Sequence, residues 1–119
     1  MNYILGEVES KFAQIIWDHE PIPSGELVRL AEKELGWKKS TTYTVLKKLS
    51  DKHIFQNIDS MVTSKMSREE YLARQSKNYI DEAFQGSLPR FLNAFARREK
   101  LTRSEIEALQ QLIDDQKGE

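Results

Sequence analysis

Lys38-Lys39-Ser40-Thr41-Thr42-Tyr43-Thr44-Val45-Leu46-Lys47-Lys48-Leu49-Ser50-Asp51-Lys52 is the stretch that decides the fold. Ser40 or Lys39 opens a helix that runs to about Lys52. Its apolar positions are Val45, Leu46 and Leu49, with Thr42 one turn earlier, so only a narrow stripe faces a core. The opposite face carries Ser40, Thr41, Tyr43, Thr44, Lys47, Lys48 and Asp51. An ordinary solvent face mixes Glu with Lys; this one is hydroxyls and lysines. Short hydroxyl side chains near a helix N-terminus can reach base edges in a groove, and a Thr or Tyr can touch a thymine methyl. Lysines at both ends can meet phosphates.

The sequence on either side builds the frame for that helix. Upstream, residues 7–19 place Val8, Phe12, Ile15, Ile16 and His19 on one stripe of an amphipathic helix. Pro21-Ile22-Pro23 stops it and runs extended, because proline lacks an N–H and restricts its predecessor. Ser24 is the expected N-cap of a second helix with Leu27, Leu30, Ala31 and Leu35 inward, and Gly36 ends it. Downstream, residues 54–58 and 61–66 are β-capable runs around Asp59-Ser60, which reads as a hairpin. Ser67-Arg68-Glu69-Glu70 is a capping box opening a helix to about Gln85, with Tyr71, Leu72, Ile80, Ala83 and Phe84 apolar. After Gly86-Ser87, Pro89 suits the first position of a helix over 89–99. Thr102-Arg103-Ser104-Glu105 is a second capping box, with Leu101 and Ile106 as a hydrophobic staple.

The expected fold class is therefore mostly α, an α+β winged helix. Residues 1–66 form a winged helix-turn-helix DNA-binding domain, and residues 67–119 a three-helix dimerisation domain. The third helix enters a major groove and the hairpin lies by the DNA backbone.

Composition bounds the rest. The chain has 119 residues, 18 Lys+Arg, 19 Asp+Glu and no Cys, for a net charge of −1. The apolar content is that of a globular chain, and the length allows one domain or a small domain with an appended element. The charge is not spread evenly. Residues 1–37 sum to −4, residues 38–77 to +5 and residues 78–119 to −2. The basic third contains the third helix, so Lys38, Lys39, Lys47, Lys48 and Lys52 are assigned to phosphates and Ser40, Thr41, Tyr43 and Thr44 to base edges. The partner they imply is a double-stranded DNA operator. In the C-terminal region Phe84, Leu88, Phe91, Leu92, Phe95, Ile106, Leu109, Leu112 and Ile113 are a large apolar load for so short a segment. Either this segment folds back on the winged domain or, the reading taken here, these residues form a homodimer interface, which doubles the length of DNA read.

Other functions fare worse. Without Cys there is no disulfide, thiolate zinc site or Cys nucleophile. His19 and His53 lie on separate elements, and the pairs Glu69-Glu70, Asp81-Glu82 and Asp114-Asp115 point about 100° apart on a helix. No phosphate loop, nucleophile elbow or metal spacing is present. Trp17 and Trp37 read as packing residues. No catalytic residue, metal or cofactor is expected. No apolar run reaches membrane-span length, and Met1-Asn2-Tyr3-Ile4-Leu5-Gly6-Glu7 lacks the basic start of a signal peptide. A cytoplasmic location follows as an expectation. The rival reading is a winged-helix protein-protein interaction module without specific DNA binding, cued by the acidic flanks and the lack of Arg in the third helix.

Several stretches together resemble the BlaI/MecI/CopY family of bacterial repressors, the penicillinase-repressor type. They are Ile15-Ile16-Trp17, Leu35-Gly36-Trp37, the run from Thr41 to Leu49 followed by Lys52, Ser67-Arg68-Glu69-Glu70-Tyr71, Gly86, and Leu101-Thr102-Arg103-Ser104-Glu105-Ile106. The resemblance covers about residues 10–113. It implies a winged helix, a three-helix dimerisation region and repression at palindromic operators with TACA/TGTA-type half-sites. It also puts Thr41 and Thr44 on base-facing positions. Where that family commonly has Lys-Gly after the third helix, this chain has Lys52-His53, at a position expected to be left-handed. The copper-responsive branch ends in a cysteine-rich motif, so the absence of Cys excludes that release mechanism. The β-lactam-responsive branch is cut by a regulatory protease at an Asn-Phe bond. The aligned bond here is Ala94-Phe95, with Asn93 one place early, and the inducer stays open.

Overall fold

A computed structural model describes residues 5–118. The reading of the first residues as no leader falls on Met1 to Ile4 and lies largely outside them. Along the chain come α1 (Glu7–His19), β1 (Ile22–Pro23), α2 (Ser24–Leu35), α3 (Lys39–Asp51), β2 (Phe55–Ile58), β3 (Met61–Ser64), α4 (Arg68–Phe84), α5 (Leu88–Arg98) and α6 (Arg103–Lys117). This is an α+β winged helix followed by further helices. The chain divides into two compact units, one running to Asn78 and the other starting at Tyr79.

In the first unit the helical stripes meet over one core. Phe12, Ala13, Ile15 and Ile16 of α1, Leu27 and Ala31 of α2, and Thr42, Leu46 and Leu49 of α3 are buried. Ile54, Phe55 and Val62 close it from the sheet side. Val8 and His19, at the ends of the α1 stripe, are exposed. Gly36 sits at φ 70°, the left-handed conformation that ends α2. The Trp37 N–H then donates to the Ala31 carbonyl (3.3 Å), and its ring stacks obliquely on Phe12 at 5.0 Å. The short turn into α3 is thus anchored to α1.

The extended Pro21-Ile22-Pro23 segment is more than a stop. Ile22 pairs with Val62 and Pro23 with Met61, giving an antiparallel sheet in the order β1-β3-β2. The hairpin pairs Phe55 with Ser64 and Ile58 with Met61 across a two-residue turn. Asp59 and Ser60 both take positive φ (52° and 64°), as a type I′ turn requires. The Glu20 carboxylate accepts the Ser64 N–H (2.8 Å) and its hydroxyl, fixing the end of α1 to β3.

Three local details differ from the sequence expectation. Ser24 does not cap α2: Pro23 holds the cap position with no side-chain bond, and Ser24 is buried as the first helical residue. At α4 only one arm of the capping box forms. The Ser67 hydroxyl accepts the Glu70 N–H (3.0 Å), while the Glu70 carboxylate turns to Arg74 (3.3 Å). At α5 the Ser87 hydroxyl accepts the Arg90 N–H (3.2 Å), so the helix starts at Leu88 and Pro89 is its second residue. The Thr102–Glu105 box forms in both directions, at 2.9 and 3.1 Å.

His53 lies at φ 63°, with the Ile54 N–H reaching back to the Leu49 carbonyl (3.1 Å) to close α3. A side chain in this conformation costs about 1 kcal/mol or more, and glycine returns part of the gain as unfolded-chain entropy. His53→Gly should therefore stabilise the unit by about 0.5 kcal/mol and raise Tm by roughly 2–4 °C. His53→Val should lower it. Thermal unfolding of the two variants checks both signs.

Candidate nucleic-acid interface

A helix with one buried stripe has one face left over. Thr42, Leu46 and Leu49 anchor α3 inward, with Val45 half-buried beside them. The helical period then turns Ser40, Thr41, Thr44, Lys47 and Lys48 outward, and all five are exposed, as are Lys38 and Lys39 at the helix start. Lys52 is half-buried at the other end. Ser40, Thr41 and Thr44 stand within one turn of each other, and Lys48 follows Thr44 a turn later. No side chain caps the α3 N-terminus. Its first N–H groups are left to solvent or to an anion.

Tyr43 is placed differently from its neighbours. Its ring is half-buried against the core, and its hydroxyl donates to the Ser24 hydroxyl at 3.0 Å. That bond satisfies the buried Ser24 and ties α3 to α2. Thr42 donates its hydroxyl to the Lys38 carbonyl (3.2 Å), a bond that holds the first turn.

Two of the five lysines are ion-paired. Lys47 pairs with Asp51 on its own helix at 3.1 Å. Lys48 reaches across to α1 and meets the Glu9 carboxylate at 2.7 Å. The other Glu9 oxygen accepts the Gly6 N–H at 3.0 Å. The Lys48 bond, then the Gly6 N–H, hold the Glu9 carboxyl below the usual carboxylate range, with burial opposing and Lys52 adding to the pull.

Beside α3 an open groove of about 510 Å³ separates it from β2; Leu46 and Phe55 line it along with Tyr43, Lys47, Asn57 and Lys65. Lys65 is exposed at the foot of the hairpin. Sequence reasoning counted its charge without assigning it a site; its signal was the one cation within the two expected strands of the hairpin. The hairpin tip has a different character. Ile58 and Met61 are exposed there, around Asp59 and Ser60.

In the second unit, Tyr79, Phe84, Phe91 and Phe95 form a chain of ring contacts at 5.6–6.4 Å. Neither α5 nor α6 buries a single residue among those described. Phe84, Phe91 and Leu109 are half-buried, while Leu88, Leu92, Phe95, Ile106, Leu112 and Ile113 are exposed. Among the described residues no group of three or more His, Asp or Glu is placed to hold a metal, and no helix is long and apolar enough to cross a membrane.

Comparison with known proteins agrees with this architecture. The penicillinase repressor family profile matches residues 5–115. The penicillinase repressor of Bacillus licheniformis is 22% identical over 118 residues, 96% of this chain and 92% of that protein. The methicillin resistance regulatory protein MecI of Staphylococcus aureus is 22% identical over 122 residues, 95% of each chain. A penicillinase repressor of Staphylococcus aureus is 23% identical over 105 residues, 85% of this chain and 83% of its own. These relatives are regulatory repressors and not enzymes. With the family profile spanning nearly its whole length, the chain belongs to the penicillinase repressor family.

Proposed function

We propose that this protein represses transcription as a homodimer, each protomer laying α3 in the major groove over one half of a palindromic operator. The observation that carries this reading is the exposed α3 face. Its hydroxyls Ser40, Thr41 and Thr44 stand between lysines, in the one third of the chain with a net positive charge. Thr41 and Thr44 read base edges, with Ser40 at the groove wall. Lys38, Lys39, Lys47, Lys48 and Lys52 meet phosphates and set the register. Tyr43 serves mainly to fix the angle of α3 through Ser24, with its ring edge toward the groove.

The exposed apolar side chains of α5 and α6 support the dimer. So does their charge. Residues 88–103 carry five basic residues against Glu99, whereas residues 104–119 carry five acidic residues against Lys117. A two-fold axis that runs α5 beside the partner's α6 pairs these charges twice and buries the apolar stripes between them. The DNA target places the protein in the cytoplasm. A regulatory protease would meet Ala94-Phe95 inside α5, so its cut would require that helix to open locally.

Thr44→Ala tests the assignment of base reading. On a two-fold duplex with TACA/TGTA half-sites the variant should bind roughly tenfold more weakly. On a scrambled duplex its affinity should stay close to that of the parent. Gel shifts on the two duplexes make the comparison, and equal losses would show that Thr44 reads no base.

A further inference from the structure

Lys48 differs from the other lysines of α3. Lys47 pairs with Asp51 on the same helix, and both side chains are mostly in solvent, so that pair gives way at little cost. The Lys48 partner comes from another element and is held in place. Glu9 sits in the first turn of α1, where the helix dipole favours a carboxylate. One of its oxygens is fixed by the Gly6 N–H, and the other faces the Lys48 ammonium at 2.7 Å. The Glu9 side chain is only 20% exposed, against 57% for Lys48. Lys52 adds a second positive charge near the same carboxylate.

We propose that Glu9 is an affinity-limiting residue of the DNA site, an internal counter-charge seated on Lys48 where a DNA phosphate would otherwise sit. This rests on the reading of α3 as the DNA-binding helix. A carboxylate and a phosphate oxygen compete for the same ammonium. While Glu9 holds Lys48, that lysine neutralises little phosphate charge and displaces few of the cations condensed on DNA. Sequence-independent affinity is therefore reduced, and a greater share of the binding falls to the base contacts of Thr41 and Thr44. Glu9 stays ionised at neutral pH, since its carboxyl is held below the usual range, so the brake is on under ordinary conditions.

Glu9→Gln is a clean test. A glutamine fills the same capping position, so the bond from Gly6 survives while the charge goes. The variant should bind the TACA/TGTA duplex and a scrambled duplex more tightly by a similar factor, about tenfold for a dimer at low salt. The slope of log affinity against log salt should steepen by up to about 2, roughly 0.9 for each released lysine. Glu9→Ala should give the same slope with a lower melting temperature, because it also loses the cap. Lys48→Ala should cost more affinity in the Glu9→Gln background than in the parent. The proposal is overturned if Glu9→Gln leaves affinity and slope unchanged, or if its gain persists once Lys48 is Ala. A parent protein that binds no duplex would overturn the DNA reading and this proposal together. A parent that binds, matched by an identical Glu9→Gln variant, overturns this proposal alone.

Discussion

Leu112→Asp should convert the dimer to a monomer and cost the operator complex roughly 10²–10⁴ in affinity. Leu112 is 54% exposed on α6, beside the similarly open Ile113. A leucine left in water gains nothing for the single chain, so the substitution does little harm to a monomer. In a dimer the same position is covered, and an aspartate there must either lose its water or hold the helices apart. The DNA consequence follows from geometry. Two linked recognition helices bind the second half-site as an intramolecular event, and an isolated protomer loses that advantage. Light scattering should fall from twice the 13.9 kDa chain mass to the chain mass itself. The thermal transition of the first unit should barely move. Weak, equal binding to a half-site and a full site by Leu112→Asp, with the parent favouring the full site, is the expected pattern. A parent that is already a monomer at micromolar concentration and above would refute the interface.

Much of this architecture is legible in the sequence wherever the cause is local. The Thr102–Glu105 box needs only residues three apart, and both of its bonds form. Gly36 is recognised as a helix end because a left-handed residue suits glycine, and its φ is 70°. The Asp59-Ser60 turn is set by the two strands that flank it. At His53 the question came from the glycine that the resembled family commonly has there, and the backbone is left-handed. What the sequence hides is nonlocal. The Ser24 hydroxyl looks like a cap because serine before an apolar stripe often is one. The choice was made by Tyr43, nineteen residues on, which needed an acceptor in the core. Glu70 reads as the second arm of a capping box, yet Arg74 one turn later competes for it. The Glu9–Lys48 pair joins two helices that no spacing rule connects, so the neutralisation of one α3 lysine could not be foreseen. The same holds for Leu5, whose N–H donates to the buried Tyr71 hydroxyl across 66 residues (3.0 Å). At two residues β1 is too short to announce a strand, and only its pairing with β3 makes it one.

In the proposed function, a protein with a net charge of −1 binds DNA through a basic face displayed twice by a dimer. Affinity for the two-fold TACA/TGTA duplex and for a scrambled duplex, measured over a series of salt concentrations, decides whether it does. Each protomer offers Lys38, Lys39, Lys47, Lys48 and Lys52, of which Lys48 is restrained by Glu9. About 6–10 phosphate contacts for the dimer is the corresponding range, and affinity should then fall ~10³-fold or more between 50 and 200 mM salt. The two-fold duplex should stay ahead of the scrambled one throughout, because base contacts do not release counterions. A salt-independent affinity, or equal binding to both duplexes at every salt concentration, would mean that α3 does not read an operator in this way.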